Sequence, residues 1–233
     1  NNTFNNNSSS HGLVWINESY ESETLDFINN SFDNTNASGS HILIEINGAS
    51  NVSDNTISTA DGMTRVFHIH TGKENLLVSN NSINNITSCN QKSMYVRGNN
   101  IDFNSNIINN ISGEEATLEV ITDNSNEDSI NITNNTIENI QVNNGGIVWI
   151  SGFGINYDSN IIKNTTTSGT GLDIAAYGIS SIINSQIVDI YGSNSNAGCL
   201  NVSEADNLTI QYNQLSNCET DSNGGGIYVD NGF

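Results

Sequence analysis

A ten-residue pattern returns along this chain about every 26 residues: apolar, any, apolar, two residues, Asn, any, apolar, any, Asn. A repeat of that length restricts the fold more than any other feature, because a short unit cannot bury its own apolar face and must stack on copies of itself. The pattern reads I-D-F-N-S-N-I-I-N-N from Ile101, I-N-I-T-N-N-T-I-E-N from Ile130, I-N-Y-D-S-N-I-I-K-N from Ile155 and L-T-I-Q-Y-N-Q-L-S-N from Leu208. Anchored on the apolar residue two after the first Asn, the copies fall at Phe4, Phe32, Ile57, Ile83, Ile108, Ile137, Ile162, Ile187 and Leu215. A second apolar segment starts ten to thirteen residues after each anchor, as in Gly146-Ile147-Val148-Trp149, Gly171-Leu172-Asp173-Ile174 and Gly226-Ile227-Tyr228-Val229. Each repeat therefore holds two clear strand patterns, with room for a weaker third.

Short strands with turn residues between them predict an all-β fold: a right-handed parallel β-helix of eight to nine coils of 24–29 residues, forming one domain over 1–233. A propeller is disfavoured, since its blades run nearer 40–45 residues. The chain has no proline, as expected where most strands have neighbours on both sides and every backbone donor is needed. Of the 45 asparagines, one set stands two residues before the anchors: Asn2, Asn30, Asn55, Asn81, Asn106, Asn135, Asn160 and Asn213, with Ser185 in the eighth copy. These predict an internal ladder in which each amide bonds its counterparts one coil above and below.

The repeats resemble those of pectin-lyase-like right-handed β-helices. The nearest local likeness is to the G-G-h and F-x-x-N repeats of polymorphic-membrane-protein type surface proteins. The matching residues are Phe27-x-x-Asn30, Phe103-x-x-Asn106, Gly145-Gly146-Ile147 and Gly225-Gly226-Ile227. In most other coils Val, Ile or Tyr replaces the Phe. The resemblance implies a β-helix and, more loosely, a surface location.

Net charge is −20, with five lysines and arginines against 25 aspartates and glutamates. That balance argues against nucleic acid and against an anionic membrane surface, since phosphates require cations. No apolar run approaches the length of a membrane span, so no membrane insertion is expected. Fifteen N-x-[ST] sequons point to a secreted or cell-surface glycoprotein carrying N-linked glycans. Asn1, Asn29, Asn80 and Asn134 lie three residues before an anchor, and Asn6, Asn85, Asn110 and Asn164 two after one. The rest are Asn7, Asn17, Asn36, Asn51, Asn131, Asn201 and Asn207. The competing reading is that these are turn asparagines with no attached sugar. Among the cysteines, Cys199 and Cys218 lie 19 apart in one coil, which permits a disulfide; buried thiols fit as well, and Cys89 is left free or to bridge subunits.

No catalytic residue is expected. Elimination from polyuronates needs a base and cations to neutralise the substrate, and hydrolysis needs two suitably spaced carboxylates. The basic residues Arg65, Lys73, Lys92, Arg97 and Lys163 carry no matching acidic cluster. His68 and His70 share a strand face, with Glu45 one coil below, and a solvated face outweighs a metal site there. No cofactor is expected; the acidic loop with Asp123, Glu127 and Asp128 offers oxygen ligands for calcium but lacks the Gly and closing Glu of a helix-loop-helix site. Trp15, Trp149, Tyr95 and Tyr228 form sugar-stacking platforms if they face outward, but the register near each Trp is open by one residue, which reverses the face. The chain opens in the second strand segment of a coil and closes in the first segment of another. Half-coils without a capping helix suggest that copies stack end to end. The expected function is an extracellular structural unit of a filament or surface coat. An adhesin or carbohydrate-binding rod comes second, and a polysaccharide lyase or hydrolase third.

Overall fold

The computed structural model describes residues 2–17, 24–61, 64–122, 128–193, 198–221 and 225–230, without the side chains of Lys73, Glu74 and Ser88. Every strand pair among them is parallel, and the strands wind into a β-solenoid of about eight turns. The anchors fixed by the repeat stand in direct register from coil to coil: Phe4, Phe32, Ile57, Ile83, Ile108, Ile137, Ile162, Ile187 and Leu215. All of these but the terminal Phe4 and Leu215 are buried. Their strands form the first ribbon of the coil, exemplified by Ser31–Ala37, Ile107–Gly113 and Ile161–Thr167.

The second ribbon holds the second apolar segment of each repeat, as in Ile42–Ile46, Leu118–Ile121 and Val148–Gly152. The weaker third segment also folds as strand. Leu25–Ile28, Ser129–Thr133, Gly154–Asp158 and Asn207–Gln211 belong to a third ribbon. Phe67–Ser79 and Met94–Asn104 run through both the second and third ribbons without a break. Alternate side chains of each ribbon point inward, so one apolar column fills the coil, with like stacked on like. The Phe4 and Phe32 rings stack at 4.6 Å, almost parallel.

Two positions recur in left-handed backbone from coil to coil, and their identities explain much of the asparagine content; Asn100 and Glu204 take it outside these two sets. One lies just before the ladder residue, at the corner between the third and first ribbons: Asn29, Asp54, Asn80, Ser105, Asn134, Ser159, Asn184 and Tyr212, with φ between 51° and 58°. The other kinks the first ribbon two residues after the anchor, at Asn6, Asn34, Thr59, Asn85, Asn110, Asn139, Asn164, Asp189 and Asn217. Asn and Asp tolerate this conformation better than other residues with a Cβ.

The ladder is built as the spacing predicts. Asn30, Asn55, Asn81, Asn106, Asn135 and Asn160 are all buried. The Oδ1 of Asn106 accepts from the Asn81 backbone N–H and from Asn81 Nδ2, both at 3.0 Å. Asn106 Nδ2 donates onward to Asn135 Oδ1 at 3.0 Å and back to the Val78 carbonyl at 2.9 Å. The same four bonds repeat at Asn55, Asn81 and Asn135, so these amides leave no buried polar atom unmade. Ser185 interrupts the run: its Oγ accepts from Asn160 N at 3.1 Å, and its own backbone N–H reaches Asn213 Oδ1 at 2.9 Å. Cys199 and Cys218 form a disulfide across one coil, Cα to Cα 5.3 Å. Closing that loop contributes stability on the order of 3 kcal/mol. Within the chain Cys89 is a free, buried thiol.

Candidate functional site

The outward side of the second ribbon carries the chemistry that the coil leaves exposed. Reading up one stripe, Trp15, Leu43, His68, Tyr95, Glu119, Trp149, Asp173, Asn201 and Tyr228 are in register, one per coil. Successive members are about 4.8 Å apart. This settles the register left open by the sequence. The residues beside Trp149, Val148 and Ile150, are buried, so Trp149 faces out, and Trp15 is 69 % exposed. The aromatic side chains therefore share one face, and packing of either Trp in the core is excluded.

Within this face, a cleft of about 430 Å³ is lined by Trp149, Lys92, Glu115, Glu119, Asp173 and Gly145. Gly145 has φ 85°, so the turn that forms the cleft wall needs glycine. Lys92 Nζ lies 2.7 Å from Glu119 Oε2 and 3.6 Å from Glu115 Oε2. Glu119 is 3 % exposed, and its charge is tolerated there because Lys92 neutralises it. Asp173, on the other side of Trp149, has its pKa raised by burial, opposed by the hydrogen bond it accepts from Asn201 Nδ2 at 2.8 Å. The cleft thus offers an indole face between the Lys92–Glu119 pair and Asp173, a surface suited to hydroxyl-rich ligands.

Further down the stripe Arg65 holds a compact cluster. Its guanidinium sits 4.9 Å from the centre of the Tyr95 ring and its Nη1 lies 3.0 Å from His68 Nδ1. The His68 ring meets Tyr95 edge-on at 5.0 Å. Burial first, then the charges of Arg65 and His70, push His68 down to about 4. His70 is in register with Glu45 below, as the repeat predicts, and with Arg97 above. No group of three His, Cys, Asp or Glu able to hold a metal occurs among the described residues. For the proposed calcium loop, Asp123 and Glu127 lie outside the described residues and Asp128 is buried.

The sequons divide by position. Asn1 lies outside the described residues. Asn6, Asn7, Asn17, Asn29, Asn36, Asn80, Asn85, Asn110, Asn134, Asn164 and Asn207 are exposed, whereas Asn51, Asn131 and Asn201 are half-buried on the flat faces of the third and second ribbons. The repeat did not show that outer side chains form ladders of their own. Ser181 Oγ donates to Asn156 Oδ1 at 2.9 Å, and Asn156 Nδ2 to Asn131 Oδ1 at 2.7 Å. Asn131 Nδ2 in turn reaches Asp102 Oδ1 at 3.4 Å. The signal was present in the sequence as a polar residue at the middle position of each apolar-x-apolar triplet. No protein-family model, curated protein or solved structure matches the chain.

Proposed function

We propose that this chain is a structural rod of an extracellular filament or surface coat, glycosylated and extended by stacking of coil on coil between copies. The observation that supports it most is the unbroken register of nine anchors with a hydrogen-bonded amide column beside them. The geometry advances by the same step at every coil, so the edge of one coil is a template that another coil can continue. The reading assigns no catalytic residue. Electron microscopy and fibre diffraction of native, untagged protein test it. The expected result is long filaments with a layer line at about 4.8 Å; isolated short rods at high protein concentration would overturn assembly.

A second reading has its own observation. Trp15, Tyr95, Trp149 and Tyr228 share one outward stripe, and Trp149 sits in a cleft with Glu119 and Asp173. That surface suits an extended carbohydrate chain, with sugar faces stacked on the rings. Trp149→Ala is expected to weaken binding to an immobilised polysaccharide panel at least tenfold, while thermal unfolding changes little because the indole lies outside the core. Undiminished binding by that variant rejects the cleft as the contact.

A further inference from the structure

The fold sorts the sequons into corner and face positions, and we infer that Asn29, Asn80 and Asn134 are the sites that carry N-linked glycans, forming a rail along one corner of the rod. This rests on the extracellular glycoprotein reading and specifies where the sugar goes. All three residues occupy the left-handed position between the third and first ribbons and are exposed. Among the described residues, none of their side-chain amides has a hydrogen-bond partner. Asn184, which holds the same corner position without a sequon, spends its amide on Asp158 Oδ1 at 3.0 Å.

Spacing favours the same three. They recur on every second coil, with Asp54 and Ser105 at the corner positions between them. Neighbouring glycans are then about 9.6 Å apart along the rod, two coil steps, where a single step would bring sugar rings into contact. In the stripe two residues after the anchors, Asn6 and Asn164 already share an amide bond with the residue one coil away, Asn34 and Asn139. Asn85 and Asn110 stand on consecutive coils, joined by a bond from Asn110 Nδ2 to Asn85 Oδ1 at 2.7 Å.

The face sequons are worse placed. Asn131 Oδ1 accepts from Asn156, and Asn201 Nδ2 donates to Asp173. Asn51 Oδ1 is buried. A sugar on any of these would break a side-chain bond or lie against a flat, half-covered sheet. In the transfer, the asparagine amide nitrogen attacks the anomeric carbon of a lipid-diphosphate oligosaccharide. The C–N bond forms, the anomeric C–O bond to diphosphate breaks, and the amide gives up one proton. Because transfer precedes folding, the fold acts as the filter: a modified chain must still close its coils. The corner lies between the third and first ribbons, so these glycans project away from the second ribbon and leave its aromatic stripe uncovered.

The test is site-by-site peptide mapping of the full chain secreted from a eukaryotic host, with glycans released by amidase in heavy-oxygen water. An appended control sequon reports that the chain met the transferase. Near-complete conversion is expected at Asn29, Asn80 and Asn134, with none at Asn51, Asn131 and Asn201. Ser31→Ala, Ser82→Ala and Thr136→Ala should each remove the mass of one glycan and leave the ladder asparagines in place. Modification on the face sites with the corner bare overturns the rail and leaves the glycoprotein reading standing. A chain bare at all fifteen sequons, with the control occupied, overturns both.

Discussion

Asn106→Ala is expected to destabilise the rod by about 4 kcal/mol, measured by chemical denaturation, although it removes only a small polar side chain. The substitution strips the acceptor from the Asn81 backbone N–H and one acceptor from Asn81 Nδ2. It also removes the donor to the Val78 carbonyl and to Asn135 Oδ1. Each buried group left unmade costs about 1–3 kcal/mol, and the vacated volume adds to it. Asn106→Ser should cost about half as much, because the chain already accommodates Ser185 in the same column, where Oγ takes the place of Oδ1 for one backbone donor. Asn110→Gly serves as the exposed control. It loses one surface bond to Asn85 but relieves φ 55°, so its effect should stay within about 0.5 kcal/mol. Equal effects at positions 106 and 110 would mean that the buried column does not carry the stacking. Because each coil contacts only its neighbours, the lesion should also loosen hydrogen-exchange protection most at the adjacent coils.

The coil was legible because its period is long enough to align and its inner positions repeat in chemical kind. Choosing the apolar residue after the asparagine as anchor reproduced the strand register to the residue, from Phe4 to Leu215. The asparagines were legible as a column for the same reason. Their left-handed neighbours were visible only as two stripes of Asn, and the backbone reason emerges with φ. The Trp orientation was not legible: in a parallel ribbon flanked by Val and Ile, a slip of one residue exchanges inside for outside, and Glu119 itself is buried on the outer face by Lys92 and its surroundings. The cluster of Arg65, His68 and Tyr95 was hidden because His68 and Tyr95 are 27 residues apart in sequence and adjacent only across a coil. The Glu119–Lys92 pair is of the same kind. Sequence spacing finds such pairs only once the coil lengths are known one by one.

His41 is the second place where one side chain should dominate a measurement. It occupies the inner corner ahead of the second ribbon, stacked between Leu13 and Val66, as the backbone bonds from Val14 to His41 and from Ile42 to Val66 show. The ring is fully buried, and neither of its nitrogens makes a hydrogen bond. Burial pushes its pKa down to about 4, against a smaller opposing pull from the Thr35 backbone. An unfolded histidine titrates near 6.5. Between those two values the unfolded chain binds a proton that the folded chain refuses, so stability falls as the pH drops. The loss reaches about 2 kcal/mol at pH 5 and about 3 kcal/mol at pH 4, and is absent above about pH 7. His68 adds a smaller term of the same sign, reduced because its ring is partly exposed to solvent. The many carboxylates act in the opposite direction, since acid relieves the repulsion of a chain at −20. The difference between wild type and His41→Leu isolates the imidazole from that background. Leu matches the residue one coil below, so the variant should be more stable than wild type by about 1–2 kcal/mol at neutral pH, because no polar atom stays unmade. The gain should widen by about 3 kcal/mol on acidification to pH 4. A difference that stays constant from pH 7 to pH 4 would mean that His41 is protonated in the folded rod, with a partner for its charge at the corner.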